Sequence, residues 1–155
     1  MPKHIAKIRW SREDALLGDG QHSYAHVWDF DGLIQIPASA SPHLVPPPLS
    51  LEAAVDPEEA FVAAISSCHM LWFLSLATAD GWEVDVYEDE AVGTLSRTSD
   101  RKLAITEVVL RPRIQFKGGN KPASVDVEAL HEKAHARCFI ANSIKSQIRI
   151  EAEKP

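Results

Sequence analysis

A long apolar segment in the middle of the chain places the strongest constraint on the fold. Residues 60–77 are apolar on nearly every face when they are drawn as a helix. Asp56 suits the N-cap position, Pro57 suits the first helical position, and Glu59 suits the capping box. Gly81 can end the helix as its C′ residue. The pattern therefore predicts a helix that is buried on all sides.

The rest of the chain is mostly strand-like, with one further helix. Asp31-Gly32 is a strong hairpin signal between the second and third strand patterns, and residues 37–55 carry five prolines and read as irregular. The second helix begins after Ser124 and runs to about Arg137. Alternating apolar residues mark strands at 4–10, 24–30, 33–36, 82–87, 91–96, 103–116 and 146–151.

The strand predicted for residues 103–116 has two irregular features. Its alternation slips near Glu107, which indicates a bulge, and it contains Pro112, which favours an edge position.

This order of elements predicts a single α+β domain over residues 1–155 with a mostly antiparallel sheet and a buried central helix. A helix that is apolar all round needs more cover than one sheet of a small domain provides. We therefore expect a homodimer that packs two such helices between two sheets.

Charge and cysteine content narrow the class of protein. The net charge of −6 and the pI near 5.6 argue against nucleic acid or an anionic membrane as partner. Residues 1–7 are charged without a following apolar h-region, so we expect no signal peptide. Polar side chains such as His69 interrupt the apolar helix and disfavour a membrane span, which needs about 20 apolar residues. Two cysteines are typical of a reducing, cytoplasmic setting.

The two cysteines are the first candidates for chemistry. Cys68 shares a helical stripe with apolar residues such as Ile65 and Trp72, which is typical of a small inert core residue, yet the polar His69 beside it hints at a cavity or an interface. Cys138 follows Arg137 at a helix end, where a new helical turn would lower its thiol pKa. Both a redox pair and two inert thiols stay open at this point.

Two further patterns involve residues around the cysteines. His131, His135 and Cys138 are spaced i, i+4, i+7 on one helix face and could form a zinc site together with Cys68 or His69. A plain solvated helix face has the same spacing.

Glu58 has no capping role, unlike Glu59, and is freer to act in a site. Ten residues of helix separate Glu58 from Cys68, about 15 Å along the axis. Glu58 would reach Cys68 from a folded-back turn or from the other subunit of a dimer.

Two segments resemble the OsmC/Ohr family, the osmotically inducible and organic hydroperoxide resistance proteins. The first is Asp56-Pro-Glu-Glu-Ala-Phe-Val-Ala-Ala-Ile-Ser-Ser-Cys-His-Met70, which is similar to that family's cysteine helix. The second is Leu130-His-Glu-Lys-Ala-His-Ala-Arg-Cys138 with Ser143. The Leu103–Phe116 strand is also similar, so the resemblance covers most of the chain.

The resemblance implies an OsmC-like fold, an intertwined homodimer and a thiol peroxidase. Cys68 would attack an organic hydroperoxide, Cys138 would resolve the sulfenic acid as a disulfide, and Glu58 would orient an arginine beside the reactive thiolate. No metal or flavin is implied, and the electrons would come from a dithiol such as a lipoyl group.

One residue of the family pattern is missing. The arginine that the resemblance implies should lie near Tyr24, within residues 23–28, and this segment has none. Arg9 and Arg12 lie upstream. This departure keeps open an alternative, a catalytically silent dimer of the same fold that binds an apolar ligand.

Overall fold

The computed structural model describes residues 1–119 and 121–153, which form two compact units. The first unit is Met1–Ala60 and the second begins at Phe61. Strands and two long helices confirm the α+β class and the mostly antiparallel pairing. The single domain inferred from the chain length stays a prediction.

The first unit contains a three-stranded antiparallel sheet in the order β1-β2-β3. The strands are β1 (Ala6–Arg9), β2 (His26–Phe30) and β3 (Gln35–Ala38). The predicted hairpin at Asp31-Gly32 is present, closed by a 3₁₀ turn over Asp31–Leu33 in which Gly32 has a φ of 73°. This positive φ is the conformation that glycine adopts without strain. The segment predicted to be irregular begins later than expected, because Pro37 and Ala38 belong to β3, and residues 39–55 are mostly turns.

The first helix, α1 (Pro57–Ala79), begins and ends where the sequence predicts. The Glu59 amide donates to the Asp56 carboxylate at 2.7 Å, and the Asp56 amide donates to the Glu59 carboxylate at 3.2 Å. At the other end Gly81 has a φ of 84°. The Gly81 and Trp82 amides donate to carbonyls of the last helical turn, as in a Schellman motif.

The second unit holds the remaining strands and the second helix. β5 (Val92–Arg97) pairs antiparallel with β6 (Leu103–Leu110), which pairs parallel with β8 (Gln147–Ile150). β4 (Val84–Asp89) and β7 (Pro112–Phe116) form a separate antiparallel pair. The second helix, α2, spans Ser124–Arg137.

The prediction of one long strand over residues 103–116 is wrong, although its two irregular features are real. The β5–β6 pairing shifts register where Thr94 faces Glu107 and Leu95 faces Ile105, which confirms the bulge. The chain then leaves the sheet at Arg111, whose amide donates to the Asp89 carboxylate at 2.6 Å. Pro112 opens β7 in the other sheet. A proline at the first position of a strand leaves no ladder hydrogen bond unmade.

Helix α1 is buried along one stripe, so all-round burial is wrong for the single chain. Ile65 packs with Val108 and Leu110 of β6, and Phe73 packs with Leu130 of α2. The opposite stripe is exposed, and Leu71 in its centre is 60% exposed. Strands of two sheets and helix α2 cover one side of α1, and the exposed residues lie on the other side.

Length and composition alone would allow α1 to cross a membrane. Core helices of soluble proteins meet the same criterion. Ser66 of α1 donates to Asp89 of β4 at 2.5 Å, a link expected of a core helix and not of one in lipid.

Candidate active site

The structure brings the two cysteines together. Cys68 lies in the middle of α1, and Cys138 is the C-cap of α2. Both are free thiols, and they lie close enough for Cys68 to influence the pKa of the Cys138 thiol. The contact is the one that a two-cysteine redox site requires.

The two thiols differ in exposure. Cys68 is half-buried, whereas Cys138 is 1% exposed. A dissolved reagent therefore reaches Cys68 first. Cys138 can react with Cys68 without contacting solvent.

The expectation of a lowered pKa at Cys138 is wrong. Burial and the neighbouring Cys68 thiol raise the pKa of the Cys138 thiol to about 11. The Ala141 amide donates to Sγ of Cys138 at 3.3 Å, which acts in the lowering direction but is the smaller effect. The guanidinium of the neighbouring Arg137 lies over Trp72, 5.7 Å from its ring centre.

Aromatic side chains surround this part of α1. Trp72, one helical turn after Cys68, packs edge to face against Phe139 with ring centroids 5.6 Å apart. Phe139 directly follows Cys138 and is itself 68% exposed. The segment around the thiols is thus apolar as well as partly accessible.

A buried histidine pair accompanies the cysteine pair. His69 Nε2 and His131 Nδ1 are 3.0 Å apart, and the two rings are inclined by 6°. Burial lowers the pKa of His69 to about 3, with smaller contributions from His131 and His135, and burial lowers the pKa of His131 to about 4. Both rings are therefore neutral at pH 7.

The zinc-site hypothesis gains no support from the geometry. Within residues 1–119 and 121–153, no group of three or more His, Cys, Asp or Glu side chains is arranged to hold a metal ion. His131 uses one ring nitrogen to bind His69. The sequence analysis placed His69 near His131 only as a possible zinc ligand and did not predict their hydrogen bond, because the two residues are far apart in the chain.

Glu58, Arg9 and Arg12 are all distant from Cys68 and Cys138 in the sequence. Glu58 is half-buried in the first turn of α1, ten residues before Cys68. Arg9 is bound to Asp29 through Nε at 2.5 Å, and Nη1 of Arg12 lies 3.2 Å from the His22 ring. The role of Glu58 stays a prediction.

An open cavity of about 480 Å³ lies elsewhere in the second unit. Its walls are mainly apolar, and Phe61 contributes from α1, two helical turns before Cys68. The other walls come from the β5–β6 hairpin and the segment before β8, with Ala104, Ile105, Thr106, Ile144 and Lys145 among them.

Comparison with known families and structures identifies the relatives of this chain. The model of the OsmC-like protein family matches residues 50–153, which include both cysteines. The chain belongs to the OsmC-like family. An OsmC-like protein of unknown function from Vibrio cholerae is 51% identical and has a TM-score of 0.94. The match covers 99% of this chain and 100% of that protein.

More distant OsmC-like structures share the fold. An organic hydroperoxide resistance protein OsmC from Legionella pneumophila is 20% identical with a TM-score of 0.68, covering 98% of this chain and 96% of that one. The organic hydroperoxide resistance protein OhrB of Bacillus subtilis is 16% identical with a TM-score of 0.67, covering 97% and 98%. No curated protein sequence matches this chain. The fold expected from the sequence is therefore confirmed.

Proposed function

We propose that this OsmC-like protein is a cysteine-based peroxidase that reduces organic hydroperoxides to alcohols. The observation that carries the proposal is the contact between an accessible thiol, Cys68, and a buried thiol, Cys138. Distant relatives of the same fold are named organic hydroperoxide resistance proteins, which supports the choice of substrate class.

Cys68 acts first in this mechanism. Its thiolate attacks the outer peroxide oxygen, the O–O bond breaks, and the alkoxide leaves as an alcohol after taking up a proton. Sulfur is oxidised to the sulfenic acid as the peroxide is reduced. The half-exposed position of Cys68 gives the peroxide access to the sulfur.

Cys138 acts second, as the resolving residue. Its sulfur attacks the Cys68 sulfenic acid, an S–S bond forms, and the hydroxyl leaves as water with the Cys138 proton. The raised pKa of Cys138 keeps it protonated and unreactive toward peroxide at neutral pH. The Ala141 amide at 3.3 Å stabilises negative charge on this sulfur during the attack.

A dithiol completes the cycle. One of its thiolates attacks the Cys68–Cys138 disulfide, the second releases the mixed disulfide, and both cysteines return to thiols while the dithiol becomes a disulfide. We propose a lipoyl group or a similar dithiol for this step. No metal or flavin takes part in the proposed cycle, and we place the protein in the reducing cytoplasm.

Apolar surfaces favour an organic peroxide over hydrogen peroxide. Trp72 and Phe139 pack together beside the two cysteines, and Phe61 lines the apolar cavity. Burying an alkyl group there contributes about 0.8 kcal/mol per methylene, which hydrogen peroxide cannot provide.

Two parts of the proposed enzyme come from the family resemblance. We propose that Glu58 orients a guanidinium beside the Cys68 thiolate. Arg9 is an unsuitable source because Asp29 already binds it. We also propose a homodimer, which the exposed stripe of α1 with Leu71 at its centre supports.

The proposal is tested by adding one equivalent of cumene hydroperoxide to the reduced protein and measuring the intact mass without reductant. A mass lower by two hydrogen atoms, with neither thiol open to alkylation, is the expected result. An unchanged mass would contradict the proposal. It would favour the second candidate, a silent OsmC-like dimer that binds an apolar ligand, for which the 480 Å³ cavity is the supporting observation.

Two serine variants separate the roles of the cysteines. Cys68→Ser is expected to consume no hydroperoxide. Cys138→Ser is expected to gain one oxygen atom and then a second, because nothing resolves the sulfenic acid before the sulfinic stage. Peroxide consumption by Cys68→Ser at the parental rate would show that the assignment is wrong.

A further inference from the structure

A buried hydrogen bond joins the two helices that carry the cysteines. His69 directly follows Cys68 on α1, and His131 lies two turns before Cys138 on α2. Their bridging nitrogens are 3.0 Å apart, and the side chains are 1% and 4% exposed. Each histidine is thus tied by a short stretch of helix to one member of the thiol pair.

Stability alone does not account for these two histidines. Nδ1 of His69 and Nε2 of His131 are buried and have no hydrogen-bond partner in the described chain. Each such atom destabilises the fold by about 1–3 kcal/mol. Phe73 packs against the His131 ring with centroids 4.5 Å apart, so the surroundings would accept an apolar side chain. Two leucines would avoid both unpaired nitrogens.

The histidine pair adds a contact of defined geometry between the two helices. An apolar contact between helices holds them together without fixing one distance, whereas a hydrogen bond has a preferred length and angle. Between α1 and α2, in the residues that the structure describes, this is the one hydrogen bond formed by nitrogen or oxygen atoms. The ion pair of Lys133 with Asp80, just beyond α1, is 3.9 Å long and exposed, and such pairs contribute little.

We propose that the His69–His131 hydrogen bond is a positioning contact that holds Cys68 and Cys138 at the separation required for their disulfide. This inference rests on the proposed function, because disulfide closure is the step that follows peroxide reduction. In that step a sulfenic acid and a thiol give a disulfide and water. The histidines take no part in the bond changes and act through the helices they join.

The test is thiol–disulfide exchange with dithiothreitol, which needs no hydroperoxide. Reduced protein and oxidised dithiothreitol give protein disulfide and reduced dithiothreitol, and intact masses of acid-quenched mixtures yield the equilibrium constant. The key variant is the double replacement His69→Leu with His131→Leu, which leaves no unpaired ring nitrogen. The conservative variants are His69→Gln, whose amide lies near the Nε2 position, and His131→Asn, whose amide lies near the Nδ1 position.

The double leucine variant is expected to lower the equilibrium constant about tenfold, the size of one hydrogen bond. His69→Gln and His131→Asn are expected to stay within about threefold of the parental constant, since each keeps a bridging polar atom. If the histidines only filled space, the two amide variants would lower the equilibrium constant more than the double leucine variant does, because leucine replaces buried volume better than an amide. Cooperative urea unfolding of each variant verifies that it is folded.

A parental equilibrium constant in the folded double leucine variant would overturn the inference. So would a parental protein that forms no Cys68–Cys138 disulfide at any ratio of oxidised to reduced dithiothreitol. A protein that exchanges with dithiothreitol as expected but ignores cumene hydroperoxide would refute the proposed peroxidase and leave the positioning role in place.

Discussion

At the scale of single residues, burial decides the chemistry of this site. Backbone amides of the turn after α2 act to lower the pKa of the Cys138 thiol, yet burial raises it to about 11, because the side chain is 1% exposed. Burial instead lowers the pKa of His69 and of His131, because it disfavours the charged form of any group. The site therefore holds neutral groups beside the accessible Cys68.

The histidine pair predicts a specific dependence of stability on pH. The unfolded chain binds protons at an ordinary histidine pKa of 6.5, whereas the folded rings have pKa values of about 3 and 4. From about pH 4 to 6.5 the unfolded state binds more protons than the folded state does. The free energy of unfolding therefore rises with pH over this range and levels off above it. Each histidine contributes up to about 1.4 kcal/mol per pH unit.

Urea unfolding at pH 7.5 and pH 5 measures this dependence. The double leucine variant at positions 69 and 131 is the control, because it retains every carboxylate that titrates nearby. We expect the parental protein to lose more stability on acidification than this variant does. Equal losses in the two proteins would show that the histidines are not responsible.

At the scale of the elements, α1 packs closely against β5 at a glycine. A methyl group placed on Gly93 would lie 2.5 Å from Cγ2 of Val62 and 3.4 Å from Cγ2 of Ile105. We expect Gly93→Ala to reduce the free energy of unfolding by about 1–3 kcal/mol through overpacking. Combining it with Val62→Ala should recover part of this loss, giving a favourable coupling of about 0.5 kcal/mol or more.

Urea unfolding of the two single variants and the double variant measures this coupling. Gly119→Ala is the matched control, since, its chain neighbours aside, no atom of residues 1–119 and 121–153 lies within 4 Å of the added methyl group. Its effect should stay within about 0.5 kcal/mol. Additive losses for the pair at positions 62 and 93 would contradict a direct contact.

The elements also show which features a sequence can predict. The ends of α1 are readable because Asp56, Glu59 and Gly81 act on backbone groups a few residues away. The break at Arg111 is not readable, because it depends on a hydrogen bond to Asp89 from another strand. Apolar alternation continues through the break, since both strands face a core.

The candidate site also has some features that the sequence predicts and others that it does not. Cysteine position within the helical patterns pointed to Cys68 and Cys138, and the structure brings the two together. The partnership of His69 with His131 and the raised pKa of Cys138 depend on packing between distant segments. Spacing within one helix therefore suggested a zinc site where the structure has a histidine pair.

At the scale of the whole molecule, the exposed stripe of α1 predicts self-association. The stripe consists of Ala64, Ser67, Leu71, Ser75 and Thr78, and Leu71 is 60% exposed at its centre. Small residues on both sides of Leu71 permit a second helix to approach closely. Removing Leu71 from water contributes about 1.5–3 kcal/mol per chain.

We therefore expect light scattering after size exclusion to give twice the 17.1 kDa chain mass, and Leu71→Asp to give the mass of one chain. A carboxylate in that position would have to be buried without a partner in the dimer, which destabilises association strongly. Val125→Asp is the control, because Val125 is similarly exposed at 68% but lies in the first turn of α2, where an acidic residue suits the helix end. A parental protein with the mass of one chain would exclude the association. A Leu71→Asp protein that keeps the mass of two chains would place the association surface elsewhere.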